Sequence, residues 1–195
     1  MVTPPTVPPS AGSDVSAATH RAAAAPTSRS SQARVRALVA EVPDPEVPVL
    51  TIDDLGVLRD VAVDETGRVR VTLTPTYSGC PAMDAIADDV RARLAAAGHR
   101  DVEVGFVLSP AWTTEWMSGD GRRKLLDYGI APPSGRAPVG SGGAPAGPVP
   151  VPLSVRCPQC GSPDTRELSR FGSTACKALW QCQACREPFD RFKEH

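Results

Sequence analysis

Apolar positions recur along this chain with two different periods. Val35, Leu38, Val39 and Val42 fall at i, i+3, i+4 and i+7, one face of a helix that Ser30 or Ser31 is placed to cap and Pro43 and Pro45 to end. Val57–Val63 and Arg68–Pro75 read as strands joined through Glu65, Thr66 and Gly67 as a hairpin; in the second, Val69, Val71 and Leu73 alternate with Arg70, Thr72 and Thr74. Met83, Ile86, Val90 and Leu94 return to the helical period, with Gly98 placed as the stop. Val102, Val104, Phe106 and Leu108 alternate again, and a short helix is predicted from Gly121 to Tyr128 before Gly129. The order α-β-β-α-β-α predicts an α+β fold, a small three-stranded sheet with packed helices, over residues 31–130.

The pattern lapses twice. Residues 1–30 hold 5 Pro, 7 Ala, 5 Ser and 4 Thr, a composition that buries too little apolar surface to offset ordering entropy, and a disordered tail is expected there. Residues 131–152 hold 7 Pro, 5 Gly, 4 Ala and 2 Ser, the signature of a linker. Residues 153–195 are then a separate C-terminal module, decoupled from the first by that tether. Proline and glycine occupy 37 of 195 positions and aromatics only 5%, so any core is small and aliphatic. No apolar run reaches the ~18 residues of a membrane span and no signal-peptide pattern opens the chain, so a cytoplasmic protein without a membrane partner is expected.

Six cysteines without an export signal point to reduced thiols and metal. Cys157-Pro-Gln-Cys160-Gly161 and Cys182-Gln-Ala-Cys185 are two C-x-x-C pairs with 21 residues between them. Each pair chelates from one tight turn, and four thiolates close a tetrahedron, the structural zinc arrangement of a zinc-ribbon-like module. Thiolates also suit iron or an iron–sulfur cluster, with zinc the first expectation. About 45 residues build too little core to fold unaided, so metal binding is expected to supply much of the folding energy. Cys176, between the pairs, reads first as a buried small residue and second as an extra thiol able to hold a transferred metal.

Cys80 follows Tyr77-Ser-Gly at a predicted strand-to-helix turn, with Pro81 at the start of the helix. At that position the helix dipole and free N–H groups favour a thiolate, so two readings stand side by side, a reactive thiol and an inert cap. Asp44-Pro-Glu46-Val-Pro48 reads as a loop, and Asp53 and Asp54 as caps or ligands. Trp112 and Trp116, two of the 3 tryptophans, lie within five residues and suggest a packed lid or a partner surface. There is no phosphate-binding glycine loop, no Glu-x-x-His pair for a di-iron site and no histidine placed to serve Cys80 as a base. Net charge is −1, and residues 153–195 carry 7 basic and 5 acidic residues, too balanced for a nucleic-acid clamp.

Asp44-Pro-Glu46, Asp54-Leu-Gly56 and Gly79-Cys80-Pro81 resemble the small domain of SufT-like iron–sulfur assembly factors. With Thr74–Met83, Leu108–Met117, Phe171–Trp180 and Glu187–Asp190 added, the chain resembles the PaaD (PaaJ) family, accessory subunits of the phenylacetyl-CoA epoxidase system of phenylacetate degradation. The resemblance implies a maturation factor, not itself catalytic, that supplies iron or an iron–sulfur cluster to an oxygenase or reductase subunit. It implies Cys80 as the reactive thiol for metal transfer, with Asp44, Glu46 and Asp54 as its neighbours. The alternative is a stoichiometric structural subunit or docking scaffold of the oxygenase, without metal transfer.

Overall fold

The computed structural model describes residues 28–134 and 155–194. The expected tail over 1–30 and linker over 131–152 fall largely outside those residues.

Two three-stranded sheets organise the chain. The first contains β1 (Leu58–Val63), β2 (Val69–Leu73) and β3 (Val102–Phe106) in the order β1-β2-β3. β1 and β2 form an antiparallel hairpin, with Val61 opposite Val71. Its turn is tied by Asp64, whose Oδ1 accepts from the backbone N–H groups of Thr66 and Arg68. β3 runs parallel to β2, which demands a crossover, and α2 (Ala82–Ala96) provides it. Its buried residues include the predicted Met83, Ile86, Val90 and Leu94. Gly98, at φ +93°, ends α2 as expected, with the His99 N–H returning to the Leu94 carbonyl at 2.9 Å.

α1 spans Ser28–Ala40. Ser30 and Ser31 therefore lie inside it and do not cap it. Val35, Val39 and Val42 are buried as the period requires, with Val42 just past the helix end. The alternation of the third strand fails toward its end: Phe106, the last residue of β3, and Leu108, beyond it, are exposed, and among the described residues β3 is an edge of the sheet. α3 (Gly119–Asp127) is capped by Ser118, whose Oγ accepts from the Gly121 N–H at 2.8 Å.

The second sheet contains β4 (Thr165–Ser169), β5 (Lys177–Cys182) and β6 (Pro188–Phe192), an antiparallel ribbon in the order β4-β5-β6. It does not hang free on a tether. Phe192 and Cys176 belong to the same buried cluster as Val39, Leu50, Leu73 and Ile86 of the first module. The Phe192 ring lies 6.3 Å from that of Trp112, tilted at 54°. Ala131 pairs with the outer edge of β6, its N–H donating to the Asp190 carbonyl and its carbonyl accepting from the Phe192 N–H. The first residues assigned to the linker are thus bound to the ribbon, and the expected decoupling is corrected. Aromatic sparsity explains the arrangement: neither module fills its core alone, so each borrows from the other.

Phe192→Ala is expected to lower the stability of the whole chain by about 3–5 kcal/mol, the cost of emptying a fully buried aromatic site. Urea unfolding followed by tryptophan fluorescence and by far-UV circular dichroism checks this, with both probes shifting together.

Candidate metal centre and thiol site

The ribbon cysteines converge. Cys157, Cys160, Cys182 and Cys185 each place a sulfur within 4.8 Å of the other three. Cys157 and Cys185 are 3.7 Å apart at sulfur, and Cys160 and Cys182 are 3.6 Å apart. Four sulfurs at about 2.3 Å from a central zinc would be separated by about 3.8 Å, so the donor set fits a tetrahedral ion. Both turns place a residue of positive φ just after their second cysteine. Gly161, just after Cys160, has φ +73°, and Arg186, just after Cys185, has φ +68°. The Cys185 N–H points at the Cys182 sulfur at 3.4 Å, and this contact pulls the Cys182 thiol down to about 6. Against a lowering N–H from Glu187, burial and the neighbouring sulfurs push Cys185 up to about 12. Thiolates this close repel one another, and a central cation removes that conflict.

The second cluster surrounds Cys80. Pro81 has helical dihedrals at the start of α2, and the thiol sits at the turn where the sequence puts it. Its titration differs from expectation. Burial raises the Cys80 pKa, an N–H contact from Ala82 lowers it, and the Glu46 and Asp44 charges raise it again. The net direction is up: two carboxylates and partial desolvation outweigh the helix terminus. Tyr77, one turn earlier, is pushed up to about 12 by burial, by Cys80 and by Glu46. Residues Thr74–Ser78 line an open cleft of about 310 Å³ shared with Leu108 and Trp112.

Asp44 shapes this cluster. It is 7% exposed, and its Oδ1 accepts from the backbone N–H groups of Glu46 at 2.9 Å and Val47 at 2.8 Å. That turn, closed by the Asp44 N–H to the Leu50 carbonyl, aims Glu46 at the ribbon. The Cys176 thiol donates to Glu46 Oε2 at 3.6 Å. Burial is the main cause that pushes Cys176 up to about 11.

Asp54 does something else. Its Oδ2 accepts from the Thr51 N–H and from Lys124 Nζ at 2.5 Å, and its Oδ1 from Ser118 Oγ at 3.1 Å. Both oxygens are engaged with the start of α3 and the loop before β1, while the carboxylates whose charges raise the Cys80 pKa are Glu46 and Asp44. Gly56 completes the motif, since at φ +70° a Cβ there would meet the Trp116 carbonyl at 2.6 Å.

The two tryptophans differ in setting. Trp112 is 4% exposed, donates from Nε1 to the Leu55 carbonyl at 2.9 Å, and packs on Phe192. Its ring is thus packed at the seam with the ribbon, as the packed reading expects. Trp116 is half-buried beneath the Arg59 guanidinium, 3.6 Å from its ring centre. Sequence reasoning missed Tyr77, Lys124, Asp190 and Phe192. Tyr77 and Asp190 lie within quoted motifs, while nothing local marked Lys124 or Phe192.

Residues 32–106 match the family of iron–sulfur cluster assembly proteins, and residues 147–193 match the PaaD zinc beta ribbon domain. The chain is 48% identical over 157 residues, 80% of its length, to a candidate 1,2-phenylacetyl-CoA epoxidase component from Escherichia coli K12, covering 89% of that protein. It is 42% identical over 79 residues, 40% of its length, to the Fe-S protein maturation auxiliary factor YitW of Bacillus subtilis, covering 76% of that protein. Among solved structures, a Bacillus anthracis domain of unknown function shares 32% identity over 48% of this chain and 90% of its own, with a TM-score of 0.45. Among the described residues no helix is long and apolar enough to cross a membrane.

The carboxylate and the quartet can each be tested. Asp54 has its pKa held below the ordinary 3.8: burial raises it, and the bonds from Lys124, Thr51 and Ser118 more than offset that. Its contribution is therefore present above pH 3.8 and lost as pH falls through the lower folded value. Asp54→Ala is expected to cost about 2–4 kcal/mol at pH 7, with the difference from wild type shrinking toward pH 3 in denaturant titrations. Cys157→Ser is expected to lose the ribbon metal by elemental analysis. Through Phe192 it also loosens the first module, visible as faster amide exchange in β2 and α2.

Proposed function

The chain belongs to the PaaD family, and from that premise we propose that it is an accessory maturation factor of a phenylacetyl-CoA epoxidase, the ring-epoxidising monooxygenase of phenylacetate catabolism. It supplies iron or an iron–sulfur cluster to a client among the oxygenase or reductase components. The ribbon quartet holds zinc as a structural ion: all four donors are protein sulfurs, which leaves no open position for chemistry. The iron is cargo, and Cys80 is the group that receives it.

The observation that carries this reading is the setting of Cys80 within the part of the chain similar to iron–sulfur assembly proteins. The thiol stands at a turn beside an open cleft, with Glu46 and Asp44 acting on it. Burial first, and those carboxylates with it, favour the protonated thiol while no cation is near. A divalent ion reverses the sign of their effect, because their charges then favour metal and thiolate together. Such a thiol is quiet toward alkylation and oxidation until its cargo arrives. A helix terminus alone would have made it reactive all the time.

Cys80→Ser keeps the turn and removes the soft ligand. Cells carrying it are expected to stop growing on phenylacetate, and their purified epoxidase components to contain several-fold less iron than wild type. Components matured beforehand should turn over phenylacetyl-CoA without this protein. A requirement for it in stoichiometric amounts in every assay would instead identify a structural subunit or docking scaffold and overturn the maturation reading.

A further inference from the structure

β3 is bonded on one side only. Among the described residues its single neighbour in the sheet is β2. The Val69 N–H donates to the Asp101 carbonyl and the Val107 N–H to the Leu73 carbonyl, each at 2.9 Å. With the parallel register between the strands, these bonds turn the backbone groups of Asp101, Glu103, Gly105 and Val107 toward β2. Those of Val102, Val104 and Phe106 point away from the sheet. Edges of this kind are ordinarily guarded by lysine, proline or a bulge. β3 has none of the three. It runs instead into consecutive exposed apolar residues, Phe106 at 45%, Val107 at 37% and Leu108 at 65%.

Gly105 is an independent observation. A glycine inside a strand weakens it, and marks a bulge, a sharp bend or the close approach of another backbone. The register runs unbroken past Gly105, its φ is not positive, and a Cβ there would meet nothing within 4 Å. Nothing among the described residues requires glycine at this position, which leaves approach from outside.

The apolar residues are arranged symmetrically about Gly105. Val102, Val104, Phe106 and Leu108 share one face by alternation, and Val107 shares the other with Glu103. A two-fold axis at Gly105 sets Val104 opposite Phe106, and Val102 opposite Leu108, of an antiparallel second copy. The outward groups of Val104 and Phe106 then exchange hydrogen bonds, and the two Gly105 residues form the pair at the axis where the backbones come closest. Charge excludes other registers. An axis at Glu103 sets that carboxylate against its own copy, and one at Val102 sets it against Asp101. An axis at Val104 leaves Leu108 opposite Arg100. With the axis at Gly105, Glu103 faces Val107, and its charge is answered within its own chain by Arg68 at 3.1 Å and Arg70 at 3.5 Å.

We infer that β3 is a dimer interface, at which a second copy of this chain pairs antiparallel about a two-fold axis at Gly105 and joins the two three-stranded sheets into one. The surface is self-complementary, as a two-fold contact requires. Leu108 also walls the cleft of about 310 Å³ beside the Cys80 turn, so Val102 of the second copy extends that wall. The pairing stands independently of the maturation reading.

Sedimentation velocity on the full-length zinc-loaded protein is expected to show a reversible monomer–dimer equilibrium, since one strand per copy is a small interface. Val104→Pro removes an N–H that only the second copy uses and spares the bonds to β2. It is expected to weaken dimerisation at least tenfold with an unchanged circular dichroism spectrum. Gly105→Cys is expected to link the two copies under mild oxidation, because a disulfide spans the Cα separation of such a pair. Peptide mass mapping then finds the link at position 105 of both chains. Should Val104→Pro unfold the sheet, that link decides. A protein monomeric throughout the concentration series overturns the inference. So does a dimer that a folded Val104→Pro leaves unchanged, or one that forms no link at position 105. A monomer that binds an epoxidase component and loses it in Val104→Pro also overturns the inference, and assigns the edge to a strand of that component.

Discussion

The seating of Phe192 against Trp112 is the contact on which the remaining architecture depends. Trp112 follows the edge strand of one module, and Phe192 ends the last strand of the other. Their packing joins two modules whose own cores are small. A ribbon this short draws stability from its metal and from its neighbour, and an α+β unit poor in aromatics gains one large side chain from outside. Because the seam is core rather than surface, a change at the ribbon cysteines is expected to reach the sheet that precedes the Cys80 turn.

A second dependence is electrostatic. Desolvation pushes every thiol in the Cys80 cluster toward its protonated form, and the carboxylates add to that push. The helix terminus, which by itself would activate Cys80, is outweighed. The cluster is therefore poised by contrast with the quartet 157/160/182/185. There, short sulfur–sulfur distances and inward N–H groups make a complete nest for a permanent ion. Cys80 and Cys176 lie outside that quartet.

Asp54 and Gly56 serve this arrangement from a distance. Asp54 fixes the start of α3 through Ser118 and Lys124, and Gly56 lets the Trp116 backbone approach closely. α3 then leads to Ala131, which pairs with β6. The Asp-Leu-Gly motif thus anchors the path that brings the ribbon back over the sheet.

The local problem was legible in the sequence. Period-2 and period-3.6 patterns determined the order of strands and helices, since side-chain direction repeats with backbone geometry. The paired C-x-x-C turns determined a metal centre, because chelation from a tight turn needs only neighbouring residues. The Cys80 turn was likewise visible, as were the motif carboxylates Asp44 and Glu46. Relations between distant segments were not visible, and these decided the chemistry. That Cys176 meets Glu46 across 130 positions and that Trp112 faces Phe192 depend on docking, and that Asp54 reaches Lys124 depends on how α3 packs. The direction of the Cys80 shift belongs to the same class. A helix terminus is a local feature that sequence reveals, but burial and the approach of two carboxylates are sums over the folded surroundings, and only the tertiary structure sets them.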